Sequence, residues 1–301
     1  MDLVDPRARL RALPQERVDR PDVAEDVVAL DRGREGRVAR VPRGGLRGRV
    51  VGGVDRAPRR AAAVAARGFG PREVVVRINP PETEDGEADL VALAPAAPDA
   101  ILVPKVRTSD TLIAVGSRLR RLGAPLATRV WAMIETPMAV VNAAEIAGAA
   151  RDVDGRLAAL VIGPNDLLKA SRIRPPGRAA LMPWLMHVLA AARAYEIEAI
   201  DGVFTDLNDP AGFETECTQG RDLGFDGKML IHPNQIGPTN AAFGPDAEEI
   251  AQARRLMGVF DAPENRERGV VAVDGKMVER LHVEAARRTL AMAEAIARLS
   301  A

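Results

Sequence analysis

From residue 73 onward, short runs of consecutive apolar residues alternate with longer segments of helical spacing. The runs are 73–79 (EVVVRIN), 100–106 (AILVPKV), 129–135 (RVWAMIE), 157–163 (LAALVIG), 198–204 (EAIDGVF) and 228–232 (KMLIH). Each lacks the strict polar–apolar alternation of a half-exposed strand, as strands covered on both faces require. A further candidate strand is 25–31 (EDVVALD). Strand and helix in repeated alternation predict the α/β class with a parallel sheet. Eight such units need about 250 residues, so a (β/α)8 TIM barrel with a helical extension fits a chain of 301.

The helix signals agree. Thr136 is placed to cap a helix opened by Pro137 and continued through Val140, Val141, Ala144 and Ile146. Asp209-Pro210 starts another, which Gly224 ends. Asp246 with Glu249 reads as a variant capping box, and a last amphipathic helix covers about 283–299. These signals divide the chain into a front segment 1–61, a barrel over 62–245 and a helical extension over 246–301.

The front segment has a different vocabulary. Residues 1–70 contain 16 Arg against 10 acidic residues, and no Lys, Ser, Thr, Asn, His, Tyr, Trp or Ile. Over 32–60 there are ten arginines and neither a helical nor a strand period, so no regular βα unit is expected there. Clustered Arg suits a phosphate backbone, but no Lys or aromatic accompanies it, and nucleic-acid binding is not expected. A solvated insert is a second reading. A third, which the vocabulary favours, is a GC-rich coding sequence translated here in a shifted frame.

Composition narrows the classes. The formal net charge is zero and Cys217 is the sole cysteine, so no internal disulfide forms. No stretch reaches the roughly 20 apolar residues of a membrane span, and the first residues lack the pattern of a secretory signal. A cytoplasmic protein is the simplest expectation. No Walker loop or dinucleotide-binding GxGxxG follows a strand. Of the histidines, His187 falls in a helical run, His232 ends the last strand of the series, and His282 reads as a surface residue.

Functional groups of a βα barrel lie at the C-terminal ends of its strands. Four ends carry suitable residues: Arg77 in VVVRINP, Lys105 in LVPKV, Glu135 in AMIETP and Asp166 in VIGPNDL. Glu135 and Asp166 leave consecutive strands, and two such carboxylates offer hard oxygen ligands suited to Mg²⁺. The plainer reading makes Asp166 a helix cap and Arg77 and Lys105 ion-pair partners under loops. Charges at the exits of apolar strands call for a partner or a ligand.

WAMIETP, ALVIGPNDL, IDGVF and LGFDGKMLIHPNQI, in this order and spacing, resemble the citrate lyase beta-subunit group of CoA-ester lyases in the HpcH/HpaI aldolase superfamily. The resemblance runs from about residue 62 to the end. It implies a (β/α)8 barrel in a homotrimer or hexamer, with Mg²⁺ on Glu135 and Asp166. It implies that Arg77 binds the reacting carbonyl and stabilises the enolate, and that Glu279 supplies an acid to a neighbouring subunit's site; Lys105, from its place at a strand exit, is expected to help bind substrate. The implied reaction is reversible cleavage of a 3-hydroxyacyl-CoA into acetyl-CoA, or a homologue, and a 2-oxo acid. A thioesterase acting on malyl-CoA on the same scaffold is the alternative, as is a relic that has lost its chemistry. The family carries an acidic pair at the exit of its second strand, where this chain continues Asp31-Arg32-Gly33-Arg34.

Overall fold

The structure, a computed structural model, describes residues 27–30, 48–51, 73–174, 178–265, 268–273 and 276–300. Eight strands close into a ring in sequence order: β1 (Val27–Leu30), β2 (Gly48–Val51), β3 (Val74–Arg77), β4 (Ala100–Val103), β5 (Arg129–Ile134), β6 (Leu157–Ile162), β7 (Glu198–Asp201) and β8 (Gly227–Leu230). From β2 to β8 every neighbouring pair is parallel.

Two features of the front correct the sequence reading. β1 runs antiparallel to both neighbours, with Val27 opposite Leu230 of β8 and opposite Arg49 of β2. The barrel is therefore not all-parallel. An antiparallel ladder still satisfies the backbone groups of β2 and β8, so neither is left as an open edge. β2 lies inside 32–60, where no strand period was legible. Val50 and Val51 favour a strand, but the glycines and arginines around them interrupt the run that a period needs. Residues 10–14 and 31–34 lie outside the described residues.

Ten α-helices are described: α1 (Glu84–Leu93), α2 (Ser109–Arg121), α3 (Pro137–Val141), α4 (Ala143–Gly148), α5 (Pro164–Ser171), α6 (Arg178–Ala194), α7 (Pro210–Leu223), α8 (Ile236–Phe243), α9 (Ala247–Asp261) and α10 (Leu281–Ser300). The caps read from the sequence form. Thr136 accepts from the Ala139 N–H, Asp209 from the Gly212 N–H, Gly224 ends α7 in the left-handed region, and Asp246 with Glu249 makes a reciprocal capping box. The single helix expected after Thr136 is instead two, broken at Asn142, whose side-chain N–H donates to the Arg107 carbonyl at 2.9 Å.

Strand alternation sorts the core into two layers. Val75, Leu102, Trp131, Met133, Val161, Ile200 and Met229 fill the barrel interior. Their sequence neighbours Val76, Ile101, Val103, Ala132, Ile134, Leu160 and Leu230 point outward and pack under the helices, against Leu93, Leu112, Ile146 and Leu185. Each fully buried Val, Leu or Ile contributes roughly 1.5–3 kcal/mol, which favours this register over one slipped by a residue. Beyond the barrel, β9 (Val270–Val273) and β10 (Lys276–Glu279) form an antiparallel two-stranded sheet, and α9 packs against α10. Among the described residues, no helix is long and apolar enough to cross a membrane.

Candidate active site

The two-layer alternation decides which charges reach the barrel mouth. Val75 faces inward, so Arg77, two residues on and the last of β3, has the same parity at that strand's C-terminal end. Trp131 and Met133 face inward in β5, so Glu135, one residue past the strand, continues the inner row. Its side chain is nearly buried, at 7% exposure.

Lys105 follows β4 by two residues in the left-handed region, with φ at 53°. A non-glycine residue there costs on the order of 1 kcal/mol or more, so the fold must over-determine it. The contacts that do so are specific. The Lys105 backbone N–H donates to Glu135 Oε1 at 2.8 Å, while its ammonium donates to Asp166 Oδ2 at 2.5 Å and lies 3.6 Å from Glu135 Oε1. Oxygens of both acids thus lie within 3.6 Å of one nitrogen.

Asp166 arrives from the next strand. β6 ends at Ile162, Gly163 is the N-cap of α5, Pro164 is its first residue, and Asp166 lies within its first turn. It is not the cap, and the plainer reading of this residue fails. Gly163 explains how the neighbouring acid fits. A Cβ built there would come within 3.0 Å of Glu135 Oε2 and 2.5 Å of Glu135 Cβ, so Glu135 occupies the space that any side chain at 163 would need.

The environment pushes the two acids apart. Burial raises the Glu135 pKa, and the charge of Asp166 adds to this against the opposing pull of Lys105. The hydrogen bond from Lys105 lowers that of Asp166. Burial works against the Lys105 ammonium, yet Asp166 and Glu135 together raise its pKa. The donor set fits a small hard cation: two carboxylates converge on a point that a cationic group can occupy, as the Lys105 ammonium does. Among the described residues no third His, Cys, Asp or Glu joins them, so water or substrate oxygens would complete an octahedron.

The other candidates fall elsewhere. Glu279 ends β10 and is exposed, its backbone N–H donating to His282 Nδ1 at 3.1 Å; no hydrogen bond or ion pair links it to the Lys105 cluster within the described residues. His187 is exposed on α6, and His232 Nδ1 accepts from the Asn234 N–H at 3.2 Å. Cys217 is buried, and burial raises its thiol pKa.

One charged group escaped the sequence reading. Asp201 and Lys228, both fully buried, pair across β7 and β8 at 3.1 Å, with Arg178 and Glu216 completing a four-charge cluster. The signal was present, since both residues interrupt apolar strands just as Arg77 and Lys105 do.

The sequence profile of the HpcH/HpaI aldolase/citrate lyase family matches residues 55–233. A (3S)-malyl-CoA thioesterase of Cereibacter sphaeroides is 47% identical over 231 residues, 76% of this chain and 77% of the relative. The citrate lyase subunit beta of Escherichia coli K12 is 33% identical over 228 residues, 74% of each chain. The crystal structure of the protein CitE from Mycobacterium tuberculosis in complex with magnesium, acetoacetate and coenzyme A is 31% identical and superposes with a TM-score of 0.58, covering 77% of this chain and 84% of its own. The chain belongs to the HpcH/HpaI aldolase/citrate lyase family.

Proposed function

We propose that the chain is a magnesium-dependent enzyme of CoA esters that hydrolyses the thioester of a malyl-CoA-type substrate. The observation that carries this reading is the 47% identity to a malyl-CoA thioesterase over three-quarters of the chain. It favours hydrolysis over the carbon–carbon cleavage that the sequence motifs suggest by themselves.

Glu135 and Asp166 would hold Mg²⁺, which when bound supplies a Lewis acid toward substrate oxygens. Lys105 must then release Asp166, which frees its ammonium for the substrate's carboxylate. Arg77, at the inner end of β3, binds the thioester oxygen and stabilises the negative charge that develops on it. Hydrolysis adds water across the thioester: the carbonyl carbon gains a hydroxyl and the sulfur leaves as the CoA thiol. Glu279 would act from a neighbouring subunit of a homotrimer or hexamer.

Carbon–carbon cleavage to acetyl-CoA, or a homologue, and a 2-oxo acid is the second reading, favoured by the 33% identity to a citrate lyase beta subunit. Product analysis separates them. Malyl-CoA incubated with the full chain and Mg²⁺ should release free CoA thiol and malate in equal amounts, and EDTA should stop it. Acetyl-CoA and a 2-oxo acid, in place of free thiol, would establish the lyase reading. No turnover of malyl-CoA or citramalyl-CoA with Mg²⁺ would overturn both.

A further inference from the structure

We infer that the buried ionic cluster of Asp201, Lys228, Arg178 and Glu216 is a positioning device for Asp166, acting through Gly202 and Pro164. This rests on the reading of Asp166 as a metal ligand.

The cluster lies outside the barrel mouth. Ile200 and Met229 face the interior, so Asp201 and Lys228 point into the layer between strands and helices. There Arg178, the first residue of α6, grips Asp201 with two hydrogen bonds of 3.0 and 2.9 Å. Lys228 Nζ donates to Asp201 Oδ2 at 3.1 Å and to Glu216 Oε1 of α7 at 2.5 Å. Two cations and two anions leave no net charge. Such a cluster is nonetheless a poor route to stability, because taking each ion out of water is costly and apolar residues of similar volume commonly do as well. Its value must lie in what it holds in place.

Besides Gln219 of α7, which accepts from Arg178 Nε at 2.7 Å, it holds the backbone of one glycine. The Gly202 N–H donates to Asp201 Oδ1 at 2.8 Å, and the Gly202 carbonyl accepts from Lys228 Nζ at 2.6 Å. Both polar groups of this residue are therefore tied to the cluster, immediately past the end of β7. Against it rests Pro164: a Cβ at 202 would fall within 2.6 Å of Pro164 Cγ, so the proline ring fills the space the glycine leaves. Pro164 begins α5, and Asp166 is two residues further on.

The same contact recurs one strand earlier, where Glu135 fills the space beside Gly163. The exits of β5, β6 and β7 are thus stacked, each glycine seating a side chain from the preceding strand's exit, and the ionic cluster on β7 and β8 anchors the far end. Glu135 and Asp166 come from adjacent exits of this stack, so their separation depends on where Gly202 is held.

Mn²⁺ binding to the full chain, followed by electron paramagnetic resonance, tests this alongside thermal unfolding by circular dichroism. Lys228→Met and Gly202→Ala should each weaken Mn²⁺ binding by about tenfold or more while the protein remains folded at the measuring temperature. Pro164→Ala in the Gly202→Ala background should recover most of the loss, because the ring that meets the new methyl is gone. If Lys228→Met does not fold, Gly202→Ala decides, since it leaves all four charges in place. Folded variants that bind Mn²⁺ as the unaltered chain does, while Asp166→Asn does not, would overturn the inference and leave the metal reading intact. An unaltered chain that fails to bind Mn²⁺, or an Asp166→Asn variant that binds it equally well, would overturn both.

Discussion

Lys105 holds both acids of the barrel mouth at once, Glu135 through its backbone N–H at 2.8 Å and Asp166 through its ammonium at 2.5 Å. The backbone bond survives any substitution except proline; the ammonium bond does not. Lys105 therefore combines a fixed contact with a displaceable one. Its ammonium occupies the position between two carboxylates that a divalent cation would take.

That relationship predicts the behaviour of Lys105→Met. Without a divalent ion the two acids lose their shared cation and repel, so the variant should melt below the unaltered chain. The Lys105–Asp166 pair is over 40% exposed on both sides, so solvent screening keeps its contribution to about 1 kcal/mol or less. With Mg²⁺ the ion no longer competes with the ammonium, and the Mg²⁺-induced rise in Tm should exceed that of the unaltered chain by about 2–4 °C. Equal rises in calorimetric scans with and without Mg²⁺ would show that the ammonium does not share the cation's position.

If the proposed metal site is right, Glu135→Gln and Asp166→Asn should each lower malyl-CoA turnover by about 10²-fold or more, since each would take one of the two proposed carboxylate ligands from Mg²⁺. The expected signature is a shift in Mg²⁺ requirement with Tm changed little for Asp166→Asn, which is the more exposed acid. Steady-state rates over a Mg²⁺ series measure it. An unchanged requirement in Asp166→Asn would remove that residue from the metal site.

The barrel from β3 to β8 was legible because its strands are buried on both faces, which leaves unbroken apolar runs such as VVV at 74–76 and LVI at 160–162. The acids at the mouth were legible for the same reason: charge stands out where apolar runs end. Two kinds of information were not. Strand direction is invisible to periodicity, so Val27–Leu30 could be read as a strand but not as one running against its neighbours. Partnership across distant elements is equally hidden. Nothing in the spacing of Arg178, Asp201, Glu216 and Lys228 announces that they meet, since Asp201 and Lys228 are joined only by the pairing of β7 with β8, and Arg178 and Glu216 reach them only through helix packing.

Arg77→Ala tests the inner face of β3. An arginine that stabilises developing charge acts only in the transition state, so its loss should lower kcat by about 10²-fold or more with a modest change in stability. Parallel kinetics and denaturant unfolding separate the two effects. A variant that loses stability without a distinct kinetic defect would make Arg77 an ion-pair partner of the barrel rim.

Asp201 supplies the pH dependence. Burial opposes its charge, but Lys228 and Arg178 outweigh burial and hold its pKa below the ordinary carboxylate value. A carboxylate with a depressed folded-state pKa stabilises the fold at pH values above its unfolded pKa of about 3.9, and that contribution fades as pH falls toward and through the folded value. Asp201→Asn should therefore destabilise the protein at pH 7 by about 3–5 kcal/mol, because it leaves Lys228 and Arg178 buried against Glu216 alone. Between pH 7 and about 5 the gap should stay constant, and below about pH 4 it should narrow as the unaltered chain approaches protonation of Asp201. Urea unfolding of both proteins across this range measures the gap directly. A gap that stays constant down to pH 3, in proteins still folded there, would mean that Asp201 does not hold the charge that the Lys228 and Arg178 contacts require of it.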